Sequence, residues 1–461
     1  MNWVTADEID RTAKILVDTR GLTIDEADAE LRSLVLQVDV GHELAEDGAA
    51  QAALLTVVNA GKRAFLGGVH VRLETDPILT VGWCSGFTAS EAVRHLGGQL
   101  CGELDDRLPT LVIGDSKDSI GEPLLYLAWS GWAGGVAERR GRAGGPAGTE
   151  LAGIAAAALG VSEVFQHQTG DALAGRRELG MSLWRPDLDW TDPDAVGPIV
   201  SFLPAGLWLL GLGHLGQAYA WTLGLLPYAN PSDVQVGLVD FDVIVRGNTA
   251  TQLLVSSADI GRRKTRVVAD ALERRGFKTR IVERAFDEHF HPVTDGDSAR
   301  DEPRIALAGF DSVVPRRQLG RNRFDRVVDA GLGKGAEYLD MVIQTFPAAG
   351  DPATAFAARR PAGDRPLGSA YEAEVERQVA AGVDPGAARC GMVDLAGVTV
   401  GAAFVGTLAS TIVIADLLRS LHDGGMDFSI VSLDLRAPDG RHAVVSQSHE
   451  PVRPRFTNAV P

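Results

Sequence analysis

Along this chain of 461 residues the apolar positions fall into short runs and helical stripes, most regularly in the second half. Apolar runs at residues 207–210, 234–240, 280–282, 305–307 and 326–329 alternate with helical patterns starting at Leu215 and spanning residues 259–275. Strand and helix in alternation predict a parallel α/β sheet. The first half is patterned less sharply. Residues 5–65 read as mostly helical, with Thr23 and Glu26 forming a capping box. Residues 69–73 alternate as a half-buried strand, and residues 111–113 form a short apolar strand ending at Gly114-Asp115. Residues 134–148, rich in Gly and Arg without periodicity, read as an exposed loop, and residues 150–166 as an alanine-rich helix. The apolar stretch 400–418 is interrupted by Gly401, Gly406, Thr407, Ser410, Thr411 and Asp416. A buried helix pair accounts for it better than a membrane span.

Between the halves, residues 184–204 carry Pro186, Pro193, Pro198 and Pro204, which prevent long regular elements. This places a linker there. The chain divides into residues 1–183, a linker 184–204, and residues 205–461. A weak repeat joins the halves: residues 110–116 (TLVIGDS) parallel 305–312 (IALAGFDS), and the small-residue helix at 151–163 parallels 400–410.

Composition narrows the partners more than the fold. A formal net charge of −17 repels a phosphate backbone, and no window concentrates Arg and Lys with aromatics, so neither nucleic acid nor a membrane is expected as partner. The N-terminal residues lack a basic region followed by an apolar one, which predicts a cytoplasmic protein. Cys84, Cys101 and Cys390 form no CxxC pair, so any cysteine chemistry is that of a lone thiol. His214, His289 and His291 show no metal-ligand spacing and read as loop or surface residues. The tryptophans, Trp184 and Trp190 among them, are expected to pack the linker against the domains.

The chemistry concentrates after the linker. Leu209-Leu210-Gly211-Leu212-Gly213-His214-Leu215-Gly216 is a strand running through G-x-G-x-x-G into a helix, a turn that cradles phosphate. Gly211 permits the tight turn, Gly213 lets backbone amides approach a ligand, and Gly216 allows close helix packing. The strand that follows delivers Asp240 and Asp242, and an acid at that place reaches ribose hydroxyls. By themselves these features also permit an NAD-dependent oxidoreductase.

The chain continues with Asn248, Gln252, Asp259-Ile260-Gly261-Arg262-Arg263-Lys264 and, after a further strand, Asp311. In this order the five elements resemble the adenylation domain of the ThiF/MoeB/ubiquitin-activating superfamily, firmly over residues 207–333 and more loosely to 419. The resemblance implies two Rossmann-like α/β domains in pseudo-symmetric arrangement, the first inactive and the second nucleotide-binding. It implies ATP and magnesium as cofactors and adenylation of the C-terminal carboxylate of a ubiquitin-like or sulfur-carrier-like small protein. Asp240 would hold the ribose, Asn248, Gln252 and Lys264 would contact phosphates, and Asp311 would face the metal.

One departure weakens the match: the family places Arg before the Gln of its Asn-x-x-x-Gln motif, and this chain has Thr251. Arg246, Arg316 and Arg317 are candidate substitutes, and Arg11 is a candidate for the arginine that the family borrows from a paired domain. Thr251 keeps open a pseudoenzyme that binds nucleotide without turnover. Cys390, beside Arg389, is a candidate thioester acceptor, with a buried structural thiol as the alternative. By family habit a conjugating enzyme, a JAB-type peptidase and an antiviral defence role are further expectations, and a homodimer is left open.

Overall fold

The computed structural model describes residues 5–139, 147–293, 302–322, 324–347, 352–357, 367–398, 400–422, 425–446 and 454–460. The chain opens with two helices, α1 (Ala13–Arg20) and α2 (Ile24–Ser33), the second started by the Thr23/Glu26 capping box. Strand β1 (Val35–Val40) then begins a sheet with β2 (Gly68–Leu73), β3 (Gln99–Leu100), β4 (Thr110–Ile113), β5 (Leu124–Ser130), β6 (Ala133–Ala137) and β7 (Leu179–Ser182). Helices α3 (Gly48–Gly61), α4 (Ala89–His95) and α5 (Glu150–Gln168) connect these strands. The strand order is 3-2-1-4-5-6-7, parallel through β5 and antiparallel beyond.

After a short strand β8 (Phe202–Pro204), a second sheet repeats the plan with β9 (Gly206–Leu210), β10 (Gln235–Val239), β11 (Lys278–Val282), β12 (Ile305–Ala308), β13 (Arg326–Leu332), β14 (Asp340–Pro347), β15 (Phe428–Asp434) and β16 (His442–Val445). Its order, β11-β10-β9-β12-β13-β14-β15-β16, is again parallel through the fifth strand. A last strand, β17 (Phe456–Asn458), pairs with β8. The helices of this half are α6 (His214–Leu225), α7 (Lys264–Arg274), α8 (Val313–Arg316), α9 (Pro352–Ala357), α10 (Ser369–Ala380), α11 (Pro385–Gly397) and α12 (Ala403–Arg419). Each half is thus a doubly wound Rossmann-like unit, and the two are related by pseudo-symmetry.

The weak sequence repeat maps onto that symmetry. Strands β4 and β12 are each the fourth of their sheet, and α5 and α12 each join the sixth strand to the seventh. Both helices are apolar around their circumference and lack a solvent face, as expected of helices buried on every side. Helix α12 packs on α5, α6 and strands β13 and β14, so the core runs through the junction of the halves. Trp83 stacks on Trp221 across the junction at 5.9 Å, and its indole N–H donates to the Trp221 carbonyl at 2.8 Å.

Several expectations are corrected. The segment 5–65 is mostly helical, as expected, but β1 interrupts it, with Leu36 and Val38 on one face of the sheet and buried Gln37 and Asp39 on the other. Residues 133–137 are a fully buried strand, where a loop was expected. Its small residues fit it between β5, β7 and α5, and small side chains carry no alternation; of the rest of that stretch, 138–139 and 147–148 are irregular as expected, and 140–146 lie outside the described residues. The apolar stretch near residue 400 is one buried helix instead of two. Helix α7 starts at Lys264, five residues later than the apolar pattern suggests, since Ser256 and Asp259 cap a separate short turn.

Candidate active site

The ends of β9, β10 and β12 lie level: Leu210 pairs with Val239 on one side and Ala308 on the other. Chain order reverses between β9 and β12, so the loops after these strands diverge and leave a crevice at the carboxyl edge of the sheet. A cleft of about 1260 Å³ fills that place, larger than the roughly 300–1,000 Å³ usual for a single small ligand. Gly211, Gly213, Asp240, Asp242, Asn248, Gln252, Lys264 and Asp311 all line it.

The glycine loop is built as its spacing predicts. Gly211 has φ +81°, and a Cβ on Gly216 would sit 2.0 Å from the Gly211 carbonyl oxygen, so Gly216 lies behind the loop and lets α6 start directly beneath it. Asp240 ties this loop to β10: its carboxylate accepts from the Leu212 amide at 2.6 Å and the Asp242 amide at 2.7 Å. Burial pushes the Asp240 carboxyl above its ordinary value, while Lys264 and the two amides pull it down. Lys264 is mostly buried and its ammonium bonds Asp242 at 2.7 Å. Gln252 accepts from Gln217 at 2.6 Å, and Gln217 in turn accepts from the Leu254 amide at 3.0 Å. Asn248 accepts from the Val245 amide at 3.1 Å.

Asp311 follows β12 and is exposed in the cleft. Among the described residues no three His, Cys, Asp or Glu side chains gather to cage a metal. A single carboxylate fits magnesium, which binds through one or two carboxylates and takes its other ligands from phosphates and water.

The first half reaches this cleft. Asp7 and Arg11 line it, and Arg11 Nη1 is buried without a hydrogen-bond partner. Burial lowers the Arg11 guanidinium, opposed by the nearby charges of Asp7, Asp10 and Asp311. The other candidate arginines are occupied or elsewhere. Arg316 donates to the Phe310 and Ala330 carbonyls and faces Asp329 at 3.4 Å, and Arg317 donates to the Phe356 carbonyl; Arg246 is exposed and does not line the cleft.

Cys390 is not brought to the cleft. It is exposed on α11, and Arg389 pairs with Glu372 of α10 at 3.1 Å. His214 is a correction: it heads α6 wedged against α12, where a Cβ on Gly406 would meet its Nε2 at 2.3 Å. Burial drives its imidazole down to about 4. His289 and His291 are exposed. Sequence reasoning missed Gln217, Arg284, Phe286, Phe310 and Lys334. The last four line the cleft, and Phe286 and Phe310 form an aromatic pair at 5.3 Å. Their one signal was position, just past the ends of apolar strands.

A crevice at the carboxyl edge of a Rossmann-like sheet, reached by an arginine from the other half of the chain, defines the class. Family models place the particular protein: "BilD C-terminal domain" matches residues 203–424 and "BilD N-terminal domain" residues 35–183. Over 437 residues, 92% of this chain and 90% of the relative, the sequence is 38% identical to the bacterial E1-like protein BilD of Collimonas sp. (strain OK412). The chain belongs to the BilD family of bacterial E1-like proteins. Solved structures of E. coli MccB, alone and with ATP, align at 14% identity with TM-scores of 0.29 and 0.31, over 54% and 52% of this chain. The chain spans 63% and 64% of those MccB chains. Among the described residues no helix is long and apolar enough to cross a membrane.

Proposed function

We propose that this protein uses ATP to adenylate the C-terminal carboxylate of a ubiquitin-like small protein. The observation that carries the reading is the convergence of the five ordered motif elements on one cleft, joined there by Arg11 with its unbonded Nη1. Asp240 and the glycine loop fit ribose and phosphate, and Phe286 with Phe310 offers an apolar seat for adenine. Asn248 and Gln252 face the phosphates from one segment, and Lys264 and Arg11 supply positive charge from two sides. Bound magnesium at Asp311 would offset charge on the phosphates.

In the reaction, a carboxylate oxygen of the tail bonds to the α-phosphorus of ATP and the bond to the β-phosphate oxygen breaks, giving acyl-adenylate and pyrophosphate. Such a transfer depends on positioning and on charge stabilisation more than on proton transfer. Arg11 takes the part of the arginine borrowed from a paired domain, while Thr251 leaves one phosphate contact of the motif unfilled. The far end of the cleft, at Gly331–Gly333 and Val400–Gly401, leaves room for an extended, small-residue tail.

The division proposed is an inactive half at 1–183, a linker at 184–204 and an active half at 205–461. It is supported by the first half having no G-x-G-x-x-G after β1. Transfer to Cys390 as a thioester is proposed as a second step and requires α10 and α11 to move, since the thiol lies outside the cleft. Work in the cytoplasm beside a conjugating enzyme and a JAB-type peptidase, in antiviral defence, completes the proposal.

ATP–pyrophosphate exchange with a ubiquitin-like small protein as the carboxylate substrate tests it. Exchange is expected in the wild type and should fall about 100-fold or more in both Lys264→Ala and Asp311→Ala. Binding of the partner and ATP without exchange would make the protein a pseudoenzyme, and binding of NADH in place of ATP would overturn the reading.

A further inference from the structure

The segment that carries Asn248 and Gln252 has little regular structure of its own. It consists of a short 3₁₀ turn, Arg246–Ala250, and an irregular stretch to residue 256, so its shape must be imposed by neighbours. Those neighbours belong largely to the other half of the molecule. Just past the end of α3, Arg63 is 5% exposed and donates to the carbonyls of Thr249, Leu253 (3.1 Å) and Val255 (3.2 Å). Asn59, one turn earlier, donates to the Leu253 carbonyl at 3.0 Å and accepts from Arg63 at 3.3 Å.

On the other side of the segment, the Gly247 amide donates to the Asp7 carbonyl at 2.7 Å. A Cβ on Gly247 would sit 2.6 Å from the Ile9 carbonyl, so only glycine admits this approach. The active half contributes the remaining tie, Gln217, through Gln252 and the Leu254 amide.

The Arg63 contacts are costly for a purely structural role. A guanidinium removed from water and bonded to carbonyls, with no carboxylate among these partners, gains less than it would from an ion pair, and apolar packing would fill the site at lower cost. What carbonyl partners provide is geometry: a planar fork with five donors fixes several backbone oxygens at once, which a lysine does not. The charge also acts on His214, the histidine within the glycine loop.

We infer that Arg63 is a positioning residue, through which the half without a glycine loop sets the shape of the phosphate-facing segment 246–255 in the other half. This rests on the nucleotide reading for its purpose but not for its geometry. The inactive half is then part of the active site's construction beyond lending Arg11: it folds the loop that presents Asn248 and Gln252. Thr251 sits inside the same clamped segment.

Hydrogen–deuterium exchange of the nucleotide-free full chain tests the inference directly, with Arg63→Lys, Arg63→Gln and Asn59→Ala compared with wild type. The amides of Asn248, Gln252 and Leu254 should exchange about tenfold faster or more in both Arg63 variants, while those of β9 and β10 keep wild-type protection. Asn59→Ala should give a smaller change confined to the same segment. For the same proteins, the dissociation constant for ATP should rise about tenfold in Arg63→Lys with the melting temperature nearly unchanged. Unchanged exchange in 246–256, or acceleration spread evenly over both sheets, would overturn the inference, as would wild-type ATP affinity in a variant whose segment has loosened. If the wild type binds no ATP, the proposed function falls while the exchange pattern still decides the role of Arg63.

Discussion

Asp240 and Lys264 each have a partner before any nucleotide arrives: Asp240 holds two loop amides, and Lys264 holds Asp242. The site is therefore set by its own hydrogen bonds, and on the proposed function a phosphate would have to compete with Asp242 for the ammonium. Asp242→Asn should free Lys264 and tighten binding of ATP, by about 1 kcal/mol, measured by calorimetry. His214 makes a pH prediction. Its imidazole titrates normally at 6.5 when unfolded and at about 4 in the fold. Between those values the unfolded chain binds the extra proton, so stability falls as pH drops from 6.5 towards 4, by up to about 3 kcal/mol from this group. Urea unfolding at pH 7.5 and pH 5 should show this loss in wild type and a smaller one in His214→Asn. Cys390, exposed and outside the cleft, gives a clean separation of steps: Cys390→Ser should leave pyrophosphate exchange within about twofold and abolish any partner adduct that a thiol nucleophile releases and a phosphine reductant does not. At this scale the sequence motifs pointed to the residues that line the cleft, Cys390 excepted; the glycine loop, Asp240 and Asp311 follow strand ends, whereas Asn248, Gln252 and Lys264 come from the turns and helix after β10. Phe286 and Lys334 were missed because their position after a strand end is their one signal, and other loop residues share it.

Elements of the second sheet depend on two features that local sequence shows unequally. The glycine loop was legible from spacing, and Gly216→Val should abolish nucleotide binding, since even a Cβ would meet the Gly211 carbonyl. A thermal shift assay with and without ATP should show the ligand effect vanish and the melting temperature fall, for a cost of about 1–3 kcal/mol. Helix α12 carries the second feature, a buried ion network. Asp416 bonds both Arg326 of β13 and Arg419, and Arg419 reaches the Leu183 carbonyl at the start of the linker. Asp416→Ala leaves two arginines buried without their shared carboxylate and should cost about 3–5 kcal/mol in chemical denaturation. In the sequence Asp416 merely interrupts an apolar run, and its partners lie 90 and 3 residues away.

The whole molecule joins its halves through apolar helices. Helices α5 and α12, buried nearly throughout, pack on each other at the centre, and Trp83 closes over Trp221 beside them. Separating the chain at the linker would expose these faces to water. Residues 203–461 produced alone should aggregate or fail to bind ATP, and the intact chain should unfold in one transition in calorimetry. The parallel sheet of the second half, its glycine loop and the order of its motif residues followed from the sequence, because strand burial and phosphate turns impose local patterns of apolar and glycine positions. The repeat between residues 110–116 and 305–312 even marked equivalent strands. Tertiary structure decided what lies across the chain: that β1 and β6 are strands, that Arg11 enters the cleft and Cys390 does not, and that Arg63 grips the segment after Asn248. Arg63 reaches Val255 across 192 positions, and Thr12, beside Arg11, bonds the Gly401 carbonyl across 389; a packing partner at such distances leaves no periodicity in the local sequence.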